Sequence, residues 1–71
     1  MATKEQLQNE LIRLQIEKNA KFDRIWNERF NFEKAAFGIE RAGANADHEA
    51  SSRTQWETDE IRRLEQRISS L

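Results

Sequence analysis

The sequence predicts an all-α protein, and three observations support that fold class. Ala, Glu, Lys, Leu and Arg supply 35 of the 71 residues, close to the roughly 50% share that is typical of long helices and coiled coils. Proline is absent, so no residue is barred from the interior of a helix. Large apolar residues recur at intervals of three and four, the spacing of one helix face. The length allows one domain, residues 1–71.

The first helix is predicted to run from about residue 3 to about residue 42. Thr3 followed by Gln6 is a capping-box pattern, which starts a helix by satisfying two free backbone amides. No helix-breaking residue follows before Gly38. Because one step of the apolar seam is four where a strict heptad has three, we expect a nearly straight helix. The seam consists of Leu7, Leu11, Leu14, Lys18, Phe22, Ile25, Arg29, Phe32, Ala36 and Ile39.

A second helix is predicted from about residue 47 to about residue 70. Gly43 can supply the left-handed C-cap of the first helix, and Asn45 or Asp47 can cap the second. We therefore place the turn near residues 43–47. Towards the end of the chain, the spacing of three and four returns in Ile61, Leu64, Ile68 and Leu71.

The two helices are predicted to pair as an antiparallel helical hairpin, a short coiled coil. In that hairpin the first helix runs past the second, which leaves Leu7, Leu11 and Leu14 without a partner in the chain. The alternative is one continuous long helix, because small residues keep nearly the same seam spacing through the middle of the sequence. These residues are Ile39, Gly43, Ala46, Ala50, Thr54, Glu57 and Ile61.

A second copy of the chain is predicted to cover the apolar surface that the hairpin leaves open. Trp26, Phe30 and Phe37 lie roughly 100–140° round the helix from Leu7, on a face that one partner helix cannot cover. Exposing three rings would forfeit several kcal/mol, comparable to the stability of a small domain. We therefore expect a homodimeric four-helix bundle or a larger homo-oligomer. The residues predicted to self-associate are Leu7, Leu11, Leu14, Ile25, Phe32, Ile61, Leu64 and Ile68.

The residue pattern argues against catalysis. The sequence has no cysteine, no glycine-rich phosphate loop and no metal-ligand spacing. The single histidine, His48, stands between Asp47 and Glu49, and sequence neighbours point in different directions on a helix. We therefore predict that the protein is not an enzyme and uses neither a cofactor nor a metal ion.

Charge and hydropathy limit the kinds of partner. Twelve basic residues against thirteen acidic ones leave a formal net charge of −1, which argues against nucleic acid. No apolar run approaches the roughly 18 residues of a membrane span, and the first ten residues lack the apolar core of a signal peptide. We predict no membrane contact and a cytoplasmic location, in the host cytoplasm if the protein is viral.

The function predicted from these features is that of a small non-enzymatic protein–protein interaction module. It would be an adaptor, an inhibitor or an assembly factor that self-associates and docks a larger protein through an aromatic helix face. The residues predicted to form the partner interface are Trp26, Phe30, Phe37 and Trp56.

Two alternative functions follow from other features of the sequence. A continuous helix would suit a structural scaffold or rod element of a larger assembly. A nucleic-acid-binding regulator would use the arginine flank of the second helix to contact phosphates. Those arginines are Arg62, Arg63 and Arg67.

Overall fold

The chain folds into an antiparallel hairpin of three helices in a computed structural model that describes residues 3–71. Helix α1, Lys4–Phe37, forms the first arm; α2, Ile39–Arg53, and α3, Gln55–Ser69, follow one another in the second arm. Both helices of the second arm pack against α1, and the hairpin measures 52 × 15 × 14 Å. The predicted all-α helical hairpin is therefore confirmed.

Helix α1 begins at the predicted capping box. Thr3 Oγ1 accepts a hydrogen bond from the Gln6 amide at 3.1 Å, and Gln6 Oε1 accepts one from the Thr3 amide at 3.0 Å. These two bonds satisfy amides that the first turn of a helix leaves free. The pattern is local in sequence, so it could be read correctly without knowledge of the tertiary contacts.

The turn between the arms lies at Gly38, earlier than the predicted turn at residues 43–47, and α1 ends at Phe37 instead of near residue 42. Gly38 has φ 84° and ψ 164°, a backbone conformation that is open essentially to glycine alone. Gly43, the predicted C-cap, lies inside α2. Because the chain reverses direction at Gly38, the alternative of one continuous helix is wrong.

The earlier turn changes which residues face each other across the hairpin. Lys21 donates a hydrogen bond to Glu57, and Asn45 donates one to Glu33. In both pairs the two residue numbers add to 78, so a residue of α1 lies opposite the residue whose number is about 78 minus its own. Helix α1 has 34 residues and the two helices of the second arm have 15 each. The two arms are therefore nearly equal in length.

The expected overhang of unpaired leucines is wrong for the same reason. Leu7 is only 4% exposed, and Leu11 and Leu14 are half-buried. Leu14 lines the same groove as Leu64 of α3. The N-terminal leucines thus pack against the end of α3 within one chain.

The core of the hairpin is narrow. Ala42, Ala46 and Ala50 line the buried face of α2 and are each 0% exposed. Small side chains at these positions let α1 approach α2 closely, and a core of this kind covers only one side of each arm. The larger buried apolar residues are Leu7, Ile25, Ile61 and Leu64.

One residue, Thr54, separates α2 from α3. Its backbone has φ −107° and ψ 12°, and its hydroxyl donates to the carbonyl oxygen of Ala50 at 2.7 Å, a back-bond that perturbs helices locally. The Thr54 amide also donates to Ala50, and the Thr58 amide donates to Thr54. Helical hydrogen bonding therefore continues through the break, and the second arm runs on as one element.

The buried seam of α1 departs from the predicted seam near the turn. After Arg29 the predicted seam continues to Phe32, whereas the buried residue is Glu33, at 5% exposure. Phe32 is 83% exposed. Steps of four rotate the buried face around a helix, and this rotation turns Phe32 towards the outside of the hairpin.

Candidate functional site

Several large apolar side chains are exposed in the hairpin. Phe32 is the most exposed of them at 83%, Trp56 is 69% exposed and Phe37 is 48% exposed. Exposed aromatic side chains of this size are enriched where proteins contact other molecules. The remaining exposed apolar residues are Ile12, Ile16, Ile39 and Leu71.

A shallow groove of about 240 Å³ opens beside Phe32. Its floor includes Ile25, which is 2% exposed. Charged side chains form its rim, where an Arg53 nitrogen lies 3.7 Å from a Glu49 carboxylate oxygen. We refer to it as the Phe32 groove, and its lining residues are Ile25, Glu28, Arg29 and Phe32 of α1 with Glu49 and Arg53 of α2.

A second groove of about 180 Å³ opens on the same side of the hairpin. An α-helix returns to the same direction after about 18 residues, five turns of 3.6 residues. Phe32 follows Leu14 by that interval, and Glu28 follows Glu10 by the same interval. We call this side the groove face. The second groove is lined by Glu10, Leu14, Glu60, Arg63, Leu64 and Arg67.

Charges of both signs lie on both arms of the groove face. The Phe32 groove is lined by an acid and an arginine from α1 and by an acid and an arginine from α2. In the second groove, Glu60 lies among the arginines of α3. Only the register of the hairpin shows which of these charges share a face, so this arrangement was not predicted from the sequence.

The structure uses two of the predicted interface residues inside the hairpin. Trp26 and Phe30 stack with ring centroids 4.8 Å apart and planes 15° apart, and both are half-buried. Trp26 Nε1 donates to Asp47 Oδ1 at 2.6 Å. Asp47 was not predicted as the partner of this indole. This pair of rings therefore helps to hold α1 against α2.

The other two predicted interface residues lie on different sides of the hairpin. Phe37 is on the same side of α1 as Phe30, seven residues earlier, and the guanidinium of Arg41 lies 5.1 Å from its ring centroid. Trp56 follows Glu49 by seven residues, which places it at the edge of the groove face. The four predicted residues thus do not form one aromatic patch.

Most residues predicted to self-associate are used within a single hairpin. Four of the eight are buried in the chain, three are half-buried, and Phe32 is exposed. The buried four are Leu7, Ile25, Ile61 and Leu64, and the half-buried three are Leu11, Leu14 and Ile68.

The three arginines predicted to contact phosphate are not brought together. Arg63 and Arg67 line the second groove alongside Glu10, and Arg63 Nη1 lies 2.6 Å from Glu60 Oε1. Arg62 points about 100° away from Arg63 around the helix. The acids among these arginines offset much of their field.

An ion pair between the arms joins Lys21 Nζ to Glu57 Oε1 at 2.6 Å. The hydrogen bond from Lys21 lowers the pKa of Glu57 below its ordinary value of 4.5, and a backbone hydrogen bond lowers it further, while burial acts in the opposite direction. The Glu57 side chain is 16% exposed. This contact fixes the register of the arms on the groove face.

Within residues 3–71, no three His, Cys, Asp or Glu side chains lie close enough together to hold a metal ion. No helix of that range is both long and apolar enough to cross a membrane. Comparison with models of known protein families, with curated proteins and with solved structures finds no match to this chain.

Proposed function

We propose that the protein is a small non-enzymatic interaction module that docks a protein partner through its groove face. The observation that carries this proposal is the position of Phe32, which is 83% exposed beside a groove whose floor residue, Ile25, is 2% exposed. An aromatic side chain beside a concave apolar floor, with charged groups around it, is the usual anatomy of a protein interface.

The energetics of Phe32 favour a partner. Fully burying a phenylalanine side chain stabilises a protein or complex by about 1.5–3 kcal/mol. Because Phe32 is 83% exposed, the hairpin alone gains little of this free energy. Trp56, at the edge of the same face, is 69% exposed. A partner that covered both rings would gain this free energy, and the charged rim would set its orientation.

The two alternative functions have less support. The scaffold or rod interpretation was favoured by one continuous helix, and the hairpin removes that support. The nucleic-acid interpretation needs a basic surface, whereas Glu10 and Glu60 lie among Arg63 and Arg67 in the second groove.

A photo-crosslinking experiment tests the proposal. Phe32 is replaced by benzoylphenylalanine, an aromatic residue of similar shape, and the variant is irradiated in its native cells. We expect a covalent adduct with a protein, and the mass of the adduct shows whether that protein is a second copy or a different chain. The matched control carries the same residue at Ile16, which is 64% exposed and points roughly 160° away from Phe32.

An adduct formed at position 32 and absent at position 16 would support docking through the groove face. Equal yields at both positions would mean that the crosslinks report random collisions, and no adduct at either position would mean that the face has no protein occupant. Either result would contradict the proposal.

A further inference from the structure

We propose that two copies of the chain exchange arms about Gly38, which acts as a hinge. In the exchanged dimer, α1 of each copy packs against α2 and α3 of the other, and the backbone of Gly38 is helical instead of reversing the chain. The contacts between the arms are the same as in the hairpin, so such an exchange costs little. The inference goes beyond the proposed function and does not rest on it.

The connection between the arms is short enough to act as a hinge. Only Gly38 separates α1 from α2, and its φ of 84° is favourable for glycine alone. The Gly38 amide donates to the Lys34 carbonyl oxygen at 3.1 Å, and the Ala42 amide donates to the Gly38 carbonyl oxygen at 3.0 Å. Helical hydrogen bonding therefore reaches the hinge from both sides, and rotation about the backbone of this one residue joins α1 to α2. Short, constrained hinges of this kind favour exchange between chains.

The hairpin leaves backbone groups at the hinge without helical partners. No side chain caps the start of α2, and the first helical hydrogen bond of α2 comes from the Ala42 amide, so the three amides of residues 39–41 precede it. In a helix that continues through Gly38, these amides donate to the carbonyl oxygens of residues 35–37. Exchange therefore adds three helical hydrogen bonds to each chain.

The apolar seam runs through the hinge without a change of spacing. Phe32, Ala36, Ile39, Gly43 and Ala46 follow one another at steps of four and three, the spacing of one helix face. In the hairpin, the seam residues nearest to the hinge, Ala36 and Ile39, are exposed, and the exposed fraction of Ile39 is 72%. A second helix that crosses the hinge would cover both residues.

The register of the hairpin shows which residues meet at that crossing. Facing residues have numbers that add to about 78, so two exchanged chains cross at residue 39, half of that sum. Ile39 then meets the partner's Ile39 on the two-fold axis, and Ala36 meets the partner's Ala42. Small side chains on both sides of the axis let the two helices approach closely. Exchange therefore buries Ile39 and preserves the pairs that join the arms of the hairpin.

Two effects oppose exchange in the wild type. Closure within one chain needs no second molecule, so the hairpin prevails at low protein concentration. Glycine is also less favourable than alanine in the interior of a helix. We therefore expect the exchanged dimer at high protein concentration, and we expect it to form slowly because the arms must first separate. Each half of the dimer rebuilds one groove face, so the dimer presents two of them.

The test combines molar mass with energy transfer between two dyes on one chain. The sequence has no cysteine, so Q8C/S70C places the dyes at two exposed positions that face each other at the open end of the hairpin. Their backbone positions are about 10 Å apart in the hairpin, one interhelical distance, and about 90 Å apart in the exchanged chain. Labelled chains are mixed with an excess of unlabelled chains, unfolded in urea and refolded at a series of concentrations. Light scattering coupled to size-exclusion chromatography gives the mass of each fraction.

The wild type should give a fraction of 8.4 kDa with energy transfer and, at high concentration, a fraction of twice that mass without energy transfer. G38A should lower the dissociation constant of the dimer about hundredfold, because exchange relieves about a tenfold penalty at each of the two strained alanines.

The matched control is G43A. Gly43 is helical in the hairpin and in the exchanged dimer, so this substitution should leave the balance between the two unchanged. Two glycines inserted after Gly38 should act in the opposite direction to G38A. They lengthen the turn and interrupt the continuous helix, so this chain should remain monomeric.

Three results would overturn the inference: a wild type that stays at 8.4 kDa at every concentration, a dimer fraction that retains energy transfer, or equal dimer yields for G38A and G43A. Retained energy transfer would mean that closed hairpins associate through their surfaces. Circular dichroism checks that every variant is helical. If G38A does not fold, the wild type and the chain with the inserted glycines decide the question, since equal dimer yields for these two would also contradict exchange.

Discussion

Lys21 and Glu57 connect the two arms through side chains that are largely shielded from water. Their Nζ–Oε1 distance is 2.6 Å, and they are 35% and 16% exposed. The pKa of Glu57 is lowered chiefly by the hydrogen bond from Lys21. The folded state therefore favours the ionised form of Glu57, and protonation of this carboxylate favours unfolding.

The first prediction concerns the acid stability of this pair. Because the folded pKa of Glu57 lies below the ordinary value of 4.5, its stabilisation is present above pH 4.5 and is lost as the pH falls through the folded pKa. We expect E57Q to lower the free energy of unfolding by about 1 kcal/mol at neutral pH. Its stability should then fall less than that of the wild type on further acidification, as measured by urea titration.

A matched control for this prediction is E60Q. Glu60 pairs with Arg63 of the same helix, whose side chain is 71% exposed, so the loss of this pair should change stability by less. If the free energy of unfolding fell equally with pH in E57Q and in the wild type, the ionisation of Glu57 would not contribute to stability.

The second prediction concerns the indole of Trp26. Its Nε1 donates to Asp47 Oδ1 at 2.6 Å, so D47A should lower the free energy of unfolding by about 0.5–1.5 kcal/mol. D47N retains a carbonyl oxygen that can accept the same bond, so it should lose less. Chemical denaturation followed by tryptophan fluorescence measures both variants, and equal losses would contradict a role for the hydrogen bond.

At the residue scale, local patterns could be predicted and long-range partners could not. The capping box of Thr3 and Gln6 lies within four residues, so the sequence contains the whole motif. The bond from Trp26 to Asp47 crosses the turn, and its prediction needs the register of the arms. The interpretation of Trp26 as an interface anchor missed this partner for that reason.

At the scale of the helices, Gly38 decides where the first arm ends. Its φ of 84° is the one positive φ among residues 3–71, and a side chain there would strain the backbone even though a Cβ would meet nothing within 4 Å. Gly43 is helical, and a Cβ there would also meet nothing within 4 Å. The same substitution at Gly38 and at Gly43 therefore compares a strained backbone position with a helical one.

The third prediction uses these two positions. G38A should lower the free energy of unfolding by about 1–3 kcal/mol, because alanine is strained at that backbone conformation. G43A should raise it by about 0.5–1 kcal/mol, because alanine favours a helix interior over glycine. Urea titrations of both variants measure the difference, and a loss for G43A with no loss for G38A would place the turn at Gly43.

These two glycines also show why the turn was predicted too far along the chain. Both glycines are able to end a helix, and the small residues around Gly43 suggested a break there. Those alanines instead form the buried face of α2, with Ala42 and Ala46 fully buried against α1. Composition alone does not distinguish a turn rich in small residues from a closely packed helix face.

At the scale of the whole molecule, the position of the turn determines the surface. A turn at Gly38 makes the arms nearly equal in length, so the N-terminal leucines are covered within the chain and Phe32 faces outward. The helical hairpin could be predicted from periodicity, whereas the groove face required the register that the turn sets. The hairpin leaves Phe32 and Trp56 exposed, and a partner that covers them stays a prediction.

The most direct test of the account is the crosslink formed by benzoylphenylalanine at position 32, compared with the same residue at position 16. Phe32 is 83% exposed beside its groove, and Ile16 is 64% exposed on the far side of α1. We expect an adduct with a protein at position 32 and none at position 16. Equal yields at the two positions, or no adduct at either, would contradict docking through the groove face.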